Sequence, residues 1–180
     1  QLSSNDRQVD LLREGVDCVL RVGELHDSSL VGRHLIDLPQ VTCASDAYLR
    51  RHGVPMRLDE LAGHLAVNFQ SPSSGRTFDF EFRVDGRLRT LPMRSRVSVN
   101  NADAYVAACR AGLGLIQAPR YHVEPGLADG SLREVLGEWL PPTLPLHVLY
   151  PSQRQLSPRV RVLVDWLVEL FGRQPADEAQ

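Results

Sequence analysis

RVSVNNADAYVAACRAGLGLIQAP, residues Arg96 to Pro119, is the stretch whose reading decides the fold. Arg96-Val97-Ser98-Val99 alternates polar and apolar side chains, the pattern of a short half-buried strand. Asn100-Asn101 then offers a short polar side chain that can accept a bond from the unpaired N–H groups of a helix's first turn. Ala102 to Ala111 is rich in alanine, which loses no side-chain entropy in a helix, and Gly112 stands where a left-handed cap would stop it. Leu113 to Ala118 is an apolar run bounded by Gly and Pro, the look of a buried strand. Strand, Asn-capped helix, glycine turn and buried strand make a βαβ unit. In open α/β sheets, ligands sit past the strand ends where such a helix N-terminus points.

Working outward toward the N-terminus, Thr77 to Met93 reads as a hairpin, with Phe78, Phe80 and Phe82 on one face and Asp85-Gly86 as the tight turn. Leu65 to Phe69 is an expected strand and Gln70 to Arg76 a polar loop. Ser45 is placed to cap a helix over Asp46 to His52 that Gly53 ends, and Arg57 to Gly63 is a further short helical piece. Leu30 to Ala44 is extended with a break at Pro39, and Val16 to Val22 is a strand closed by Gly23. Ser3-Ser4-Asn5-Asp6 supplies capping chemistry for a helix carrying Val9 and Leu12, with Gly15 as its stop. Gln1-Leu2 then reads as the tail of a strand, so Gln1 is expected to lie inside a longer protein.

Toward the C-terminus, Arg120 to Gly130 and Ser131 to Leu136 are expected to be short helical turns broken by Pro125 and Gly130. Leu144 to Tyr150 is a strand between prolines. Ser157-Pro158 starts a helix whose apolar stripe is Val160, Leu163, Val164, Leu167, Val168 and Phe171. Strands alternating with short helices, interrupted by one hairpin, define an α/β class.

Composition excludes several functions. The 180 residues are 43% hydrophobic and 23% charged, ordinary for a chain that buries a core, and the formal charge of −2 argues against nucleic-acid binding by this segment itself. All 20 basic residues are arginine, a pattern expected from coding bias. No apolar run reaches the roughly 18 residues of a membrane span, and the N-terminus has no secretory pattern. Cys18, Cys43 and Cys109 are odd in number and sit within apolar patterns, which suggests reduced buried thiols and a cytoplasmic setting.

Catalytic and metal chemistry finds little support. Gly112-Leu-Gly114 begins like a dinucleotide fingerprint, but the third glycine would fall at Gln117 and the pair follows a helix instead of opening one. The six histidines show no three-to-five spacing on one helix face, no cysteine lies near one in a ligand pattern, and no G-x-S-x-G elbow occurs. We therefore expect no enzyme, no metal and no cofactor. What recurs is a capped helix start after a strand, at Ser4-Asn5-Asp6, at Ser45 and at Asn100-Asn101. If these meet, they make a site for a small anion or polar ligand, to which Arg21 could add a bidentate contact.

The chain resembles the C-terminal effector-binding domain of LysR-type transcriptional regulators. The resemblance is carried by LLREGVDCVLRVGEL (Leu11 to Leu25), VTCASDAYLRRHGVP (Val41 to Pro55), LDELAGH (Leu58 to His64), VNNADAYVAACRAGLGLIQAP (Val99 to Pro119) and the segment from Leu132 to Leu167, in the family's order. Two departures stand out: Asp46 where the family usually has proline, and Gln117 where it is usually apolar. The resemblance implies two Rossmann-like lobes joined by two crossover strands, as in type 2 periplasmic binding proteins, with the hairpin in lobe II. Lobe I would be residues 1–43 and 148–180, incomplete at its N-terminus, and lobe II residues 44–147.

On that map Asn5 and Arg21 line the lobe I wall and Ala44 and Ser45 lie at the hinge. Phe69 and Gln70 form a lobe II edge, and Asn100, Asn101 and Pro119 its floor. The implied function is sensing: a small carboxylate or aromatic metabolite binds between the lobes of a homo-oligomer, dimer or tetramer. DNA would be bound through a helix-turn-helix domain absent from this sequence. The competing reading is a solute-binding protein of a transport system. A third, an enzyme using Cys43 or Cys109 as nucleophile, would need an exposed thiol of depressed pKa.

Overall fold

The computed structural model of the protein describes residues 16–23, 25, 30–71, 75–151 and 158–172. The strand tail at Gln1-Leu2, the cap at Ser3–Asp6, the helix of Val9 and Leu12, Gly15, the Ser157 cap and the residues after Gly172 lie outside them. The strands are β1 (Val19–Val22), β2 (Leu30–Leu38), β3 (Gln40–Ser45), β4 (Ala66–Phe69), β5 (Phe80–Val84), β6 (Arg87–Leu91), β7 (Ser95–Val99), β8 (Ile116–Pro119), β9 (Leu132–Glu134) and β10 (Leu144–Pro151). The helices are α1 (Asp46–His52), α2 (Ala102–Arg110), α3 (Arg120–Ala128) and α4 (Pro158–Gly172), with a 3-10 helix over Leu58–Gly63.

Two compact units divide the described residues: one holds Pro39 to Pro142, the other the residues up to Leu38 and those from Thr143 onward. Pro39 is the break between β2 and β3, because a proline lacks the N–H that would carry a ladder across it.

In the first unit β4 and β7 run parallel, with Phe69 opposite Val99. The parallel bridge between Ala66 and Leu115 carries the order on to β8, which pairs antiparallel with β3, itself antiparallel to β9. Helix α2 therefore crosses from β7 to β8 with β4 lying between them, the βαβ unit expected from residues 96–119. Gly112, at φ 77°, stops α2 in the left-handed region where a Cβ is disfavoured. Gly114 answers a different demand: a Cβ there would lie 2.7 Å from the backbone of Leu65 and Ala66, so the entry to β8 can pass β4 this closely only as glycine. The Gly112-Leu-Gly114 pair is structural.

Burial follows this sheet on both faces. Val41, Cys43, Val67, Tyr105, Cys109, Ile116 and Val123 form one cluster, and Tyr48, Leu49, Leu58, Leu61, Phe80, Phe82 and Leu115 another. The hairpin turns at Asp85-Gly86, both with positive φ (48° and 75°), the backbone a two-residue turn with right-handed strand twist requires.

The second unit is the antiparallel sheet β1-β10-β2 with α4 beside it. Val160, Val164 and Leu167 of α4 pack with Leu35, Leu146 and Val148, and Arg33 reaches Asp165 at 3.0 Å on the surface.

Six expectations need correction. Phe78 does not share the buried face of Phe80 and Phe82: it precedes β5 and is 60% exposed. Leu132–Glu134 is a strand, not a helical turn, because its backbone completes the free edge of β3. Pro125 does not break α3, which runs through it; Val123 is buried there, and Gly126 packs so closely on Leu132 that a Cβ would lie 2.7 Å from its side chain. Leu163 and Leu113 are exposed at the margins of otherwise buried runs, and β1 begins at Val19 instead of Val16.

Candidate functional site

Three strand ends share one edge of the first unit's sheet. Because β4, β7 and β8 are parallel, Phe69, Val99 and Pro119 all finish at their carboxyl ends. Gln70 N–H donates to Val99 C=O at 2.7 Å, holding the first two ends together. Beyond Val99 the extended Asn101 caps α2, its Oδ1 accepting from Ala104 N–H at 2.8 Å. Beyond Pro119 the chain enters α3 with no side-chain cap, while Arg120 N–H donates to Pro39 C=O at 2.9 Å. Two nine-residue helices thus begin at the same edge, and each N-terminus carries the partial positive charge of its aligned peptide dipoles.

The walls of this edge are aromatic and largely fixed. Phe69 is half-buried, its ring 5.3 Å from Tyr105 in an edge-on contact and 6.2 Å from Phe78. Burial pushes the Tyr105 hydroxyl well above its ordinary pKa, so it stays neutral while accepting from Gln117 N–H at 3.3 Å. Gln70 spends its side-chain amide on Gly75 C=O at 2.7 Å, closing the loop that returns to Thr77. Asn100 is exposed, and Pro119 half-buried. In the first turn of α3, Tyr121 is exposed with its ring 4.4 Å from that of His122. A helix starting immediately after Pro119 is the sequence signal that places this pair at the edge.

Ala44 and Ser45 do not join this edge. Along β3, Gln40 faces Pro119 while Cys43 faces Ile116, so the strand leaves the carboxyl edge at Gln40 and reaches the opposite edge at Ser45. Both residues are buried, at 0% and 2% exposure. Ser45 does cap α1, accepting from Tyr48 N–H at 3.3 Å, but that helix start belongs to the far edge. The expected convergence of the Ser45 and Asn101 caps is therefore not what the antiparallel register allows. Arg21 lies on β1 of the second unit, opposite His147 and half-buried; Asn5 lies outside the described residues.

Gln117, the departure from the apolar pattern, has a structural explanation. Its Nε2 donates to Thr42 Oγ1 at 3.1 Å and to Glu81 C=O at 2.9 Å, and its Oε1 accepts from Glu81 N–H at 2.9 Å. One amide clasps both backbone groups of a hairpin residue to β8 and β3.

Nucleophilic chemistry by cysteine is poorly served. Cys43 and Cys109 are fully buried, and the hydrogen bond with Cys43 together with burial drives the Cys109 thiol far above its ordinary range. A thiolate nucleophile needs the reverse. Among the described residues no cluster of three His, Cys, Asp or Glu side chains could hold a metal, and no helix is long and apolar enough to cross a membrane.

An α/β unit whose sequence is inserted within that of a second unit is the chain organisation of periplasmic-binding-protein-like domains. The LysR substrate binding domain family matches residues 1–172, and the chain belongs to that family. It is 38% identical over 167 residues to the uncharacterized HTH-type transcriptional regulator YhjC of Escherichia coli, covering 93% of this chain and 56% of that protein. An HTH-type transcriptional repressor of Pseudomonas aeruginosa is 33% identical, with 97% and 55% covered. The chain thus spans about half the length of these relatives. Among solved structures, the regulatory domain of CrgA, a LysR-type transcriptional regulator from Neisseria meningitidis, superposes with a TM-score of 0.76 at 32% identity, covering 91% of this chain and 79% of that one. The two-lobed fold of these regulatory domains is the fold of this chain.

Proposed function

We propose that this chain is the sensing domain of a bacterial transcriptional regulator and that its effector is a small carboxylate or aromatic metabolite. The observation that carries this reading is the pair of helix N-termini, α2 and α3, at the carboxyl ends of parallel strands. A carboxylate there meets oriented N–H dipoles without needing a metal. Phe69 and Tyr121 offer apolar faces to an organic body, and Asn100 and Pro119 form the floor. Gln70 and Asn101 hold the edge in shape through their own side-chain bonds. The lobe boundaries at 43/44 and 147/148, and Asn5 and Arg21 as a facing wall, come from the family resemblance and form part of the proposal. So do cytoplasmic location, homo-oligomerisation and DNA contact through a separate helix-turn-helix domain. The transport reading gains no support, since the relatives named above are regulators.

A signal passes only if the effector's affinity differs between two arrangements of the domain. The test is a thermal-shift screen of aromatic and aliphatic carboxylates on the chain and its Asn100→Ala and Arg21→Ala variants. A stabilising carboxylate should raise Tm with concentration. Loss of that response in both variants, with their unliganded Tm unchanged, supports the reading; an undiminished response in both refutes it.

A further inference from the structure

A groove of about 230 Å³ lies on the first unit, between the 3-10 helix and the segment leaving the hairpin. Its floor is Leu58 and Leu61, both buried in the hydrophobic core, and Leu91 and Met93 form the facing wall. Because these side chains belong to the packed core, the apolar surface is preformed.

The groove's charge is lopsided. Arg89 and Arg94 line it, and among the described residues neither guanidinium has a carboxylate within ion-pair distance. Arg89 pairs across the hairpin with Phe82, which puts the exposed Arg89 on the same face of the hairpin as Phe82 and Leu91. Asp59 is the acidic lining residue, and it is already engaged: Arg57 Nε lies 3.3 Å from its Oδ1 and holds the carboxyl below the ordinary range. Two free guanidiniums over an apolar floor select an anion with an apolar body.

This groove is not the edge described above. Arg94 C=O accepts from Ala66 N–H at 2.8 Å, at the amino end of β4, while Phe69 ends the same strand. Three residue steps of extended chain separate them, about 10 Å. We propose that the groove is a second ligand site, taking a small monocarboxylate with an aromatic or branched aliphatic body. Its volume lies below the range of about 300–1,000 Å³ typical of drug-sized ligands, so the ligand is of fragment size. Its carboxylate is held by Arg89 and Arg94, and its body lies on Leu58, Leu61 and Met93.

The two methionines of the chain make the test site-specific, because Met93 lines the groove while Met56 does not and is 70% exposed. The chain is labelled with ¹³C at the methionine methyls, the signals are assigned with Met56→Leu, and benzoate is titrated in, with benzylamine as the cationic control. The expected result is a saturable shift of the Met93 signal with Met56 stationary and no response to benzylamine. Arg89→Gln and Arg94→Gln, both at exposed side chains, should each weaken the apparent Kd about fivefold, and the double variant should abolish the shift. Asn100→Ala should leave it intact. A stationary or non-saturating Met93 signal, an equal response to benzylamine, indifference to the arginine changes, or loss in Asn100→Ala overturns the assignment.

Discussion

Replacing Gln117 by leucine puts an apolar residue where the family resemblance implies one and should nevertheless destabilise this chain. Three hydrogen bonds disappear together: those to Thr42 Oγ1, Glu81 C=O and Glu81 N–H, at 2.9 to 3.1 Å. Thr42 is 2% exposed, so its hydroxyl would lose a partner that water cannot easily replace. At about 1 kcal/mol for each bond the gross loss is about 3 kcal/mol. The half-buried leucine returns up to about 1 kcal/mol through its own apolar burial, leaving a net cost of about 2 kcal/mol. That corresponds to roughly a thirtyfold change in the opening equilibrium of the hairpin.

Hydrogen exchange reads this effect where it arises. The amide of Glu81, now bonded to Gln117 Oε1, should exchange faster by at least that factor. The amide of Arg83, bonded to Leu140 C=O, should respond less. Urea denaturation of the same variant should show a lower midpoint with an unchanged slope. A Gln117→Leu chain with unaltered Glu81 protection and a midpoint within about 0.5 kcal/mol of the parent would refute the clasp.

Further outcomes follow from other contacts. Gly114→Ala should cost about 1–3 kcal/mol, measured by denaturant midpoint, because its Cβ would press on backbone that has no room to yield. Asn101→Ala should cost about 1 kcal/mol through the lost cap on Ala104 N–H, seen as faster exchange confined to the first turn of α2. Burial, followed by the charge of nearby His52, lowers the pKa of His64 below its ordinary value, and its Nδ1 lies 3.2 Å from the Tyr48 hydroxyl. Stability should therefore be full above the unfolded pKa of about 6.5 and fall as pH drops below it toward the folded value, because the unfolded chain takes up the proton first. Unfolding measured from pH 7 to 5 should show this slope and a flatter one in His64→Gln. With a thiol reagent at neutral pH, half-buried Cys18 should react first, while Cys43 and Cys109 react at the rate of unfolding.

The elements most legible in the sequence were those whose physics is local. Ser45 and Asn101 bond to N–H groups three residues on, Gly112 needs only its own φ, and Asp85-Gly86 needs only the turn it makes. Short-range chemistry of this kind is encoded in neighbouring residues, so caps, stops and the hairpin fall where the residue types put them. Family motifs added the two-lobed architecture, which no local pattern contains.

What the chain order could not disclose was direction and company. Nothing within VTCAS says that β3 lies antiparallel to β8, yet that register sends Ser45 to one edge and leaves Phe69, Asn101 and Pro119 at the other. The three residues of β9 carry no periodicity, and they become a strand because β3 offers an unpaired backbone edge. Gln117 looks like a misplaced polar residue until the hairpin, 36 positions away, brings Glu81 to it. Residue types settled each short-range bond in this protein; contacts between distant segments, which depend on how whole strands stack, settled which edge of the sheet each of those bonds lies on.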